Sequence, residues 1–401
     1  MEKNVFITRM AKFLPNKVVK NDEMEKRLGM IGGKPSRVRP IILRQNRIEK
    51  RYYSVDEDGS IKYSNAEMMA LAIKQMFDDK FTAKDIELLT CGTSSADQIL
   101  PSHTAMVHGL LEGALPIPIM SPSGVCCAGA HALQYAYLSV ASGATSNAVC
   151  GASELISPLM LAKNFEGEYE KLQQIEKNPL IAFEKDFLRW MLSDGAGCML
   201  LSNRPEGELS LKIEWIESVS FANELKACMY QGAEKDKNGD LVSWKTMSEQ
   251  EWLSKSIFSI KQDVRQLGEF VVKKAVEHIK NSSEKHSLSF ETDVNYFLPH
   301  ISSMFFYNLL MEGMVNAGIN CTQEKWFTNL TYVGNVGAAS IYIMLEELFH
   351  SGKLKNGEKI YLFIPESGRF SYTTALLTVV KTMCNTIRYI IKFYRPFIKI
   401  Q

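Results

Sequence analysis

A helix without a charged residue is the feature that most constrains the fold of this chain. From about Ala128 to Ala141 the sequence AGAHALQYAYLSVA contains no Asp, Glu, Lys or Arg, so no face of this helix is suited to solvent. Helices that are apolar all round are buried in the core of a protein. Two adjacent cysteines, Cys126 and Cys127, lie where the helix begins. The sequence therefore predicts a deeply buried helix with a thiol pair at its start.

Strand-like and helix-like segments alternate on both sides of this helix. The predicted strands are 4–15, 86–95, 146–157, 194–202, 209–221, 294–300, 359–368 and 370–380. The predicted helices are 64–77 with Ser64 as its N-cap, 101–111, a long amphipathic helix near 250–280, 301–316 and 335–350. Such alternation in both parts of the chain indicates a layered α/β protein with two internally similar halves.

The sequence predicts one domain boundary, one insertion and one C-terminal tail. NRPEGE at 203–208 predicts a division into an N-terminal half, 1–205, and a C-terminal half, 206–380. A charged, aromatic-containing insertion at 158–192 interrupts the first half. The tail 381–401 has five basic residues and no acidic one, so contact with an anionic membrane surface and packing on its own domain both remain open.

Composition excludes several classes of protein. Lys and Arg number 46 against 45 acidic residues, and this balance gives no support to nucleic-acid binding. We find no signal peptide, no apolar stretch approaching about 20 residues, and no C-x-x-C pair among the eight cysteines. We therefore expect a cytoplasmic protein with reduced thiols. No metal-ligand cluster, phosphate loop or dinucleotide fingerprint is found, so neither a metal nor a cofactor is predicted.

Three parts of the sequence could carry chemistry. A helix start lowers the pKa of a thiol, so Cys126 and Cys127 are candidate nucleophiles, although packing alone would also explain cysteines there. His300 ends the apolar strand YFLPH, and the carboxyl ends of strands hold the chemistry in open α/β sheets. Asn335, between Gly334 and Gly337, is either a simple turn residue or a neutral donor for an oxygen that becomes negative.

Taken in order, CAGA at Cys127, LPH at His300 and GNVGAAS around Asn335 resemble the thiolase superfamily, and most of all its ketosynthase III (3-oxoacyl-acyl-carrier-protein synthase III) branch. Secondary landmarks extend the resemblance over nearly the whole chain: RIEKRYY (47–53), TSSADQILPS (93–102), GASE (151–154), SDGAG (193–197) and ESGRFSYTTAL (366–376). Each motif is loose, but the ordered set is specific.

The resemblance implies a five-layer αβαβα fold of two similar halves, a homodimer, and acyl thioesters of acyl carrier protein or coenzyme A as substrates. It implies that Cys127 accepts the acyl group, while His300 and Asn335 hold the thioester carbonyl of a malonyl-type extender. The backbone amides of Cys127 and Gly368 would form the oxyanion hole. Leu100 falls where family members send a residue across the dimer into the partner's acyl pocket.

Departures from the family pattern bear on the substrates. HISS stands where Gln-Ala-Asn usually follows the histidine, Phe305 replaces an arginine that holds coenzyme A or carrier protein in some members, and the ESGRF turn is poor in glycine. These variants look most like ketosynthases that form cyclohexanediones and dialkylresorcinols beside aryl-polyene pathways, where two β-ketoacyl chains are joined and cyclised.

The sequence thus predicts a condensing enzyme that loads an acyl group on Cys127 and forms a carbon–carbon bond by Claisen condensation with a malonyl or β-ketoacyl thioester. Three alternatives remain open at this point. The first is an acyltransferase that passes the acyl group to oxygen or nitrogen without decarboxylation. The others are a Cys–His–Asn hydrolase and a non-catalytic ketosynthase-like partner subunit.

Overall fold

A nine-stranded mixed sheet runs through the part of the chain that the structure, a computed structural model, describes: residues 4–165 and 187–382. The strands, in chain order, are β1 (Val5–Phe13), β2 (Val19–Lys20), β3 (Lys50–Arg51), β4 (Leu89–Gly92), β5 (Ile119–Met120), β6 (Asn147–Glu154), β7 (Gly195–Ser202), β8 (Leu209–Ser220), β9 (Met229–Tyr230), β10 (Ala233–Lys235), β11 (Leu241–Ser243), β12 (Lys261–Gln262), β13 (Tyr296–Pro299), β14 (Lys359–Glu366) and β15 (Ser371–Lys381). The pairs β2–β3, β9–β12 and β10–β11 form small separate ribbons.

The order of the large sheet is symmetric about its centre. The strands run β13-β14-β15-β8-β1-β7-β6-β4-β5, and β1 pairs with β8 in antiparallel fashion at the middle. On each side the central strand has an antiparallel neighbour, β7 or β15, which pairs in turn with an antiparallel strand, β6 or β14. A parallel strand, β4 or β13, follows on each side. The two halves therefore repeat one arrangement, as the resemblance predicted.

Helices pack on the outer faces of this sheet and between its two halves. They are α1 (Met24–Leu28), α2 (Arg39–Asn46), α3 (Asn65–Lys74), α4 (His103–Gly109), α5 (Cys127–Ser142), α6 (Glu249–Ser254), α7 (Val264–Lys285), α8 (Phe305–Asn316), α9 (Leu330–Val333) and α10 (Ser340–Phe349). Ser64 caps α3 as predicted, because its hydroxyl accepts a hydrogen bond from the Glu67 amide at 3.2 Å.

The prediction of a single long helix near 250–280 is wrong. The structure has two helices there, α6 and α7, separated by nine residues (255–263) that include β12. Pairing of β12 with β9 takes the backbone of Lys261 and Gln262 out of a helix, which periodicity in the sequence could not reveal.

Three hydrophobic clusters define five layers. In the middle, α5 and α10 lie between the inner faces of the two sheet halves, and they share one core with residues of β1, β7, β14 and β15. A second cluster packs α3 and α4 on the outer face of the first half. A third packs α7 and α8 on the outer face of the second half. The predicted αβαβα architecture is confirmed.

Burial of α5 is not complete, however. Tyr135 and Leu138 are 40% and 53% exposed, so one stripe of this uncharged helix lies open in the single chain. The expectation that every face is buried is therefore wrong for the isolated chain, because the two sheet halves and α10 leave that stripe uncovered.

The predicted boundary at 203–208 coincides with the turn between β7 and β8, where one half of the sheet passes into the other. The division into 1–205 and 206–380 stays a prediction. Residues 166–186 of the predicted insertion and 383–401 of the predicted tail lie outside the described residues. None of the helices in the described ranges is both long enough and apolar enough to cross a membrane.

Candidate active site

Cys127 is the first residue of α5 and is completely buried. Its Sγ lies 3.4 Å from the carbonyl oxygen of Ile364 and 3.7 Å from that of Ser371. Its backbone amide donates to Oε2 of Glu366 at 3.0 Å. The thiol therefore lies against the carboxyl end of β14 and the start of β15, far along the chain from its own helix.

Cys126 faces a different way. It is half-buried and lines a narrow apolar cavity together with His300. Most of the other residues of this cavity come from α7, α8 and the end of β14: Leu267, Val271, Val272, Ala275, Ile301, Ser302, Phe306, Leu310, Phe363, Pro365 and Ser367. The cavity wall is thus formed by Cys126 rather than by Cys127, and the assignment of the nucleophile to Cys127 depends on the CAGA motif.

His300 follows β13 directly and is 4% exposed. Its backbone amide donates to the carbonyl oxygen of Phe363 at 2.8 Å, which fixes the residue beside the end of β14. Its side chain borders the apolar cavity on one side and a smaller cavity beside Gly334 on the other. Burial lowers the pKa of His300 to about 4, so the imidazole is neutral at physiological pH.

Asn335 is held by three hydrogen bonds and is 4% exposed. Its amide donates to the carbonyl oxygen of Met191 at 3.1 Å, and its carbonyl oxygen accepts from the amide of Ser193 at 2.9 Å. Its side-chain Oδ1 accepts from the amide of Gly337 at 3.0 Å. Because Oδ1 is engaged by its own turn, the Nδ2 group of the carboxamide points away from Gly337.

Cys127 and His300 belong to segments that meet around the end of β14, and the turn that follows Asn335 packs on the first turn of α5. Phe363 holds the His300 backbone, and the next residue, Ile364, contacts the Cys127 thiol. Val336, which follows Asn335, shares the central core cluster with Cys127 and Ile364. Residues more than 170 positions apart in the sequence are thereby brought to one region at the start of α5.

Two glycines allow these segments to pack closely against their neighbours. A Cβ atom at Gly129, in the first turn of α5, would lie 2.4 Å from the carbonyl oxygen of Ala338 and 2.9 Å from Cβ of Ala152. Gly334 adopts φ +84°, a left-handed conformation that a side chain would strain, and a Cβ atom there would lie 2.8 Å from Cβ of Ser193. The Asn335 segment can therefore approach α5 only because these positions carry no side chain.

Two buried glutamates were not predicted as site residues. Glu366 ends β14 and accepts hydrogen bonds through Oε2 from the amides of Val125 at 3.1 Å and Cys127 at 3.0 Å. Glu154 ends β6, is fully buried, and accepts from the hydroxyls of Ser94 and Ser95. Sequence signals existed for both, since Glu366 lies in the glycine-poor ESGRF turn and Glu154 ends the GASE landmark.

Glu154 forms hydrogen bonds with two separate segments of this region. Its Oε1 accepts from the amide of Ala338 at 3.2 Å, three residues after Asn335, and from the amide of Ser94 at 3.1 Å. Burial raises the pKa of Glu154, and the hydrogen bonds from Ser95 and Ser94 oppose that rise. The carboxyl group thus links the end of β6 to the turn that carries Asn335.

The protonation state of Cys127 differs from the expectation of a lowered pKa. Burial raises the pKa of the Cys127 thiol well above its ordinary value, and the neighbouring Glu366 carboxylate raises it further. The amide that would stabilise a thiolate at the helix start donates to Glu366 instead. In this arrangement Cys127 is a neutral thiol.

Gly368 lies beside the same carboxylate. A Cβ atom at Gly368 would lie 3.0 Å from Oε1 of Glu366 and 3.0 Å from Cγ2 of Val125. The two residues predicted to form the oxyanion hole, Cys127 and Gly368, therefore both lie close to the Glu366 carboxylate.

The remaining observations concern Leu100, a second buried histidine and metals. Leu100 is 82% exposed in the loop before α4 and contributes to none of the cavities described above. His278 is buried and lies 3.2 Å from the Thr374 hydroxyl, since α7 packs on β15. In the described ranges, no group of three or more His, Cys, Asp or Glu side chains could hold a metal ion.

Comparison with known proteins identifies relatives of this chain. Residues 284–378 match the sequence model of the family described as 3-oxoacyl-[acyl-carrier-protein] synthase III, C-terminal. A β-ketoacyl-[acyl-carrier-protein] synthase III of Clostridium perfringens is 26% identical over 330 residues, covering 82% of this chain and 87% of the relative. The corresponding protein of Clostridium novyi is 24% identical over 361 residues, covering 90% of this chain and 94% of the relative.

Solved structures show the same fold. AbyA1, a tetronic acid condensing enzyme, superimposes with a TM-score of 0.73 at 17% identity, covering 93% of this chain and 99% of that one. The 3-oxoacyl-[acyl-carrier-protein] synthase III of Aquifex aeolicus gives a TM-score of 0.67 at 20% identity, with 94% and 99% coverage.

The five layers and these neighbours define a protein of the thiolase fold. The matches to sequence relatives confirm the resemblance to ketosynthase III (3-oxoacyl-[acyl-carrier-protein] synthase III) proteins. None of these relatives distinguishes the cyclohexanedione- or dialkylresorcinol-forming subgroup, which stays a prediction.

Proposed function

We propose that this protein is a condensing enzyme in which Cys127 carries an acyl group and His300 and Asn335 activate the second thioester. The observation that carries the proposal is that Cys127 and His300 both contact the end of β14, while the turn after Asn335 packs on the first turn of α5. Nucleophilic catalysis needs a thiol beside groups that stabilise or move charge, and this region supplies both.

The first step is acyl transfer. The sulfur of Cys127 attacks the carbonyl carbon of an acyl thioester, a new carbon–sulfur bond forms, and the donor's carbon–sulfur bond breaks. The proton of Cys127 leaves with the thiol of the donor. The apolar cavity between α7 and α8, which ends at Cys126 and His300, is suited to a hydrocarbon chain or to the arm of a thioester donor.

The second step is carbon–carbon bond formation. The neutral His300 and the Nδ2 group of Asn335 hold the carbonyl oxygen of a malonyl thioester, which becomes negative as carbon dioxide leaves. The carbanion attacks the acyl carbon on Cys127, and the bond between that carbon and the Cys127 sulfur breaks. The thiolate of Cys127 then takes up a proton from water. A neutral imidazole suits this role because its N–H donates a hydrogen bond without introducing a buried positive charge.

The substrates are acyl thioesters of acyl carrier protein or coenzyme A, and no cofactor takes part in this chemistry. Phe305, at the start of α8, is 50% exposed where some relatives carry an arginine, so an apolar side chain replaces a cation beside the cavity. This replacement and the HISS and PESGRF variants favour a product of the dialkylresorcinol or aryl-polyene type, in which case a β-ketoacyl thioester takes the place of the malonyl thioester in the second step.

Assembly as a homodimer and a cytoplasmic location belong to the same proposal. Exposed apolar side chains concentrate in one stretch of the first half, around the edge strand β5: Ile99, Leu100, Met106, Leu110, Leu115, Ile119 and Met120. An apolar sheet edge of this kind is a site for pairing with another chain. In such a dimer Leu100 extends from one protomer toward the acyl pocket of its partner.

The test combines acylation with decarboxylation. Wild-type protein is incubated with a panel of acyl thioesters and analysed by intact mass, which reports whether an acyl-enzyme forms and which chain is preferred. We expect the Asn335→Ala variant to be acylated normally but to release carbon dioxide from malonyl thioesters at least about a hundredfold more slowly, since one donor to the developing oxyanion is lost.

The matched control is Asn320→Ala, which makes the same change at an exposed position and is expected to behave as wild type. Normal decarboxylation by Asn335→Ala would contradict the condensing role. Absence of any acyl-enzyme in the wild-type protein would contradict the proposed function as a whole.

A further inference from the structure

The carboxylate of Glu366 accepts hydrogen bonds from backbone amides at the start of α5. Its Oε2 accepts from the amide of Val125 at 3.1 Å and from the amide of Cys127 at 3.0 Å. The first amides of a helix have no partner within the helix and carry the positive end of its dipole, so they bind anions well. Here the anion is supplied by the chain itself, from a position 239 residues after Cys127.

Glu366 has no cationic partner that would explain its burial. The residue is 8% exposed, and within the described ranges no Lys, Arg or His forms an ion pair with it. Burying a charge is costly unless hydrogen bonds compensate for the lost water. The two amides at the start of α5 are the compensation that the structure shows.

The same amides are needed by an acyl group on Cys127. When a nucleophile attacks an acyl-thioester carbonyl, its oxygen becomes negative and requires hydrogen-bond donors beside the sulfur. The amide of Cys127 itself is such a donor, and it is directed at Oε2 of Glu366. A single N–H group forms one strong hydrogen bond, so the carboxylate and the acyl oxygen compete for it.

Gly368, the second predicted donor, also lies close to this carboxylate. A Cβ atom at Gly368 would approach Oε1 of Glu366 to 3.0 Å. Oε2 of the same carboxylate accepts from the amide of Cys127, the first predicted donor. The carboxylate therefore lies beside both residues that are predicted to form the oxyanion hole.

We propose that the carboxylate of Glu366 accepts the hydrogen bond that the oxyanion of the substrate would accept. Glu366 is then a positioning residue that keeps the site closed until an acyl thioester displaces its carboxylate. This proposal rests on the proposed role of Cys127 as the acyl acceptor. With Glu366 in place, the amides are occupied and a negative charge lies beside the sulfur, which disfavours a free thiolate. When the carboxylate moves away, the amides become available to the acyl oxygen and the charge beside Cys127 is removed.

The experiment measures Cys127 reactivity in the full chain with a probe that requires no acyl-transfer activity. Iodoacetamide alkylation is followed from pH 6 to 9.5, with peptide mass mapping to separate Cys127 from Cys126. In Glu366→Gln the negative charge is lost while the side-chain shape is kept. We expect alkylation of Cys127 at each pH to be about tenfold faster than in wild type, because loss of the neighbouring negative charge favours the thiolate.

Two further variants define the comparison. Glu358→Gln makes the same substitution just before β14, away from the helix start, and is expected to match wild type. Glu366→Asp shortens the side chain by one methylene group and withdraws the carboxylate from the amides. It is expected to accelerate alkylation less than Glu366→Gln does, and it provides the test if Glu366→Gln does not fold.

The outcomes separate this proposal from the proposed function. Faster alkylation and faster acylation of Glu366→Gln by decanoyl-coenzyme A support both. Faster alkylation without an acyl-enzyme in any variant, wild type included, supports the closed site but contradicts the condensing function. Alkylation at the wild-type rate throughout this pH range, or acylation of folded Glu366→Gln that is slower than wild type, would overturn the role of Glu366.

Discussion

At the level of single residues, burial sets the charge of the groups around the start of α5. The pKa of His300 is lowered from 6.5 to about 4 by burial, so the folded protein binds fewer protons at this residue than the unfolded chain does between these two pH values. The contribution of the neutral imidazole to stability is therefore fully present above about pH 6.5. It is lost as the pH falls toward 4, at about 1.4 kcal/mol per pH unit.

This linkage predicts that His300→Gln, which cannot be protonated, reduces the dependence of stability on pH. Urea unfolding of wild type and variant between pH 6.5 and 4 measures the two slopes. We expect the free energy of unfolding of wild type to fall by up to about 3 kcal/mol more than that of the variant over this range. Equal slopes would show that His300 is not a buried neutral imidazole.

At the level of elements, the contact between α5 and the turn before α10 closely constrains the site. Gly129 lies where an added Cβ would be 2.4 Å from the carbonyl oxygen of Ala338, and the Tyr342 hydroxyl donates to the carbonyl oxygen of Gly129 at 2.9 Å. We predict that Gly129→Ala destabilises the protein by about 2 kcal/mol or more through overpacking, as measured by urea unfolding.

Gly268→Ala is the matched control, because Gly268 lies within α7 and a Cβ atom there meets nothing within 4 Å. It is expected to leave stability unchanged or to raise it by up to about 1 kcal/mol, as alanine does in a helix. A Gly129→Ala variant as stable as this control would contradict the close packing of α5 on the Ala338 turn.

Local patterns predicted most of these elements. The cap at Ser64, the strand before His300 and the final strand pair each follow from residues close together in sequence. The break between α6 and α7 did not follow from the sequence, because it depends on pairing of β12 with β9, some thirty residues earlier. The same limit applies to Glu366, whose partners at the start of α5 lie far away in the chain, so composition marked its turn as unusual without indicating the contact.

At the level of the whole molecule, the ordered set of motifs predicted the thiolase fold and its layers through resemblance, and the structure places CAGA at the start of α5 and LPH at the end of β13. The open stripe on α5 was not predicted, because a sequence pattern does not distinguish burial within a chain from burial between chains. Tyr135 and Leu138 on that stripe, like the residues around β5, are surfaces that a second protomer would cover.

We predict that Met120→Lys, on the edge strand β5, converts a homodimer into monomers in sedimentation velocity experiments. A charged side chain on an apolar edge opposes pairing of that edge with another chain. Leu253→Lys is the control, since Leu253 is 72% exposed in α6, outside that stretch of the first half. A wild-type protein that sediments as a monomer at about ten micromolar would contradict the homodimer.

The most direct test of the condensing chemistry is to determine which of the two adjacent cysteines becomes acylated. Cys127 contacts the ends of β14 and β15, whereas Cys126 borders the apolar cavity. After incubation with a mass-tagged acyl thioester, peptide mapping should find the label on Cys127 in wild type and in Cys126→Ala, and no label in Cys127→Ala. A label that persists in Cys127→Ala and disappears in Cys126→Ala would show that the nucleophile is Cys126, and the proposed arrangement of the site would be wrong.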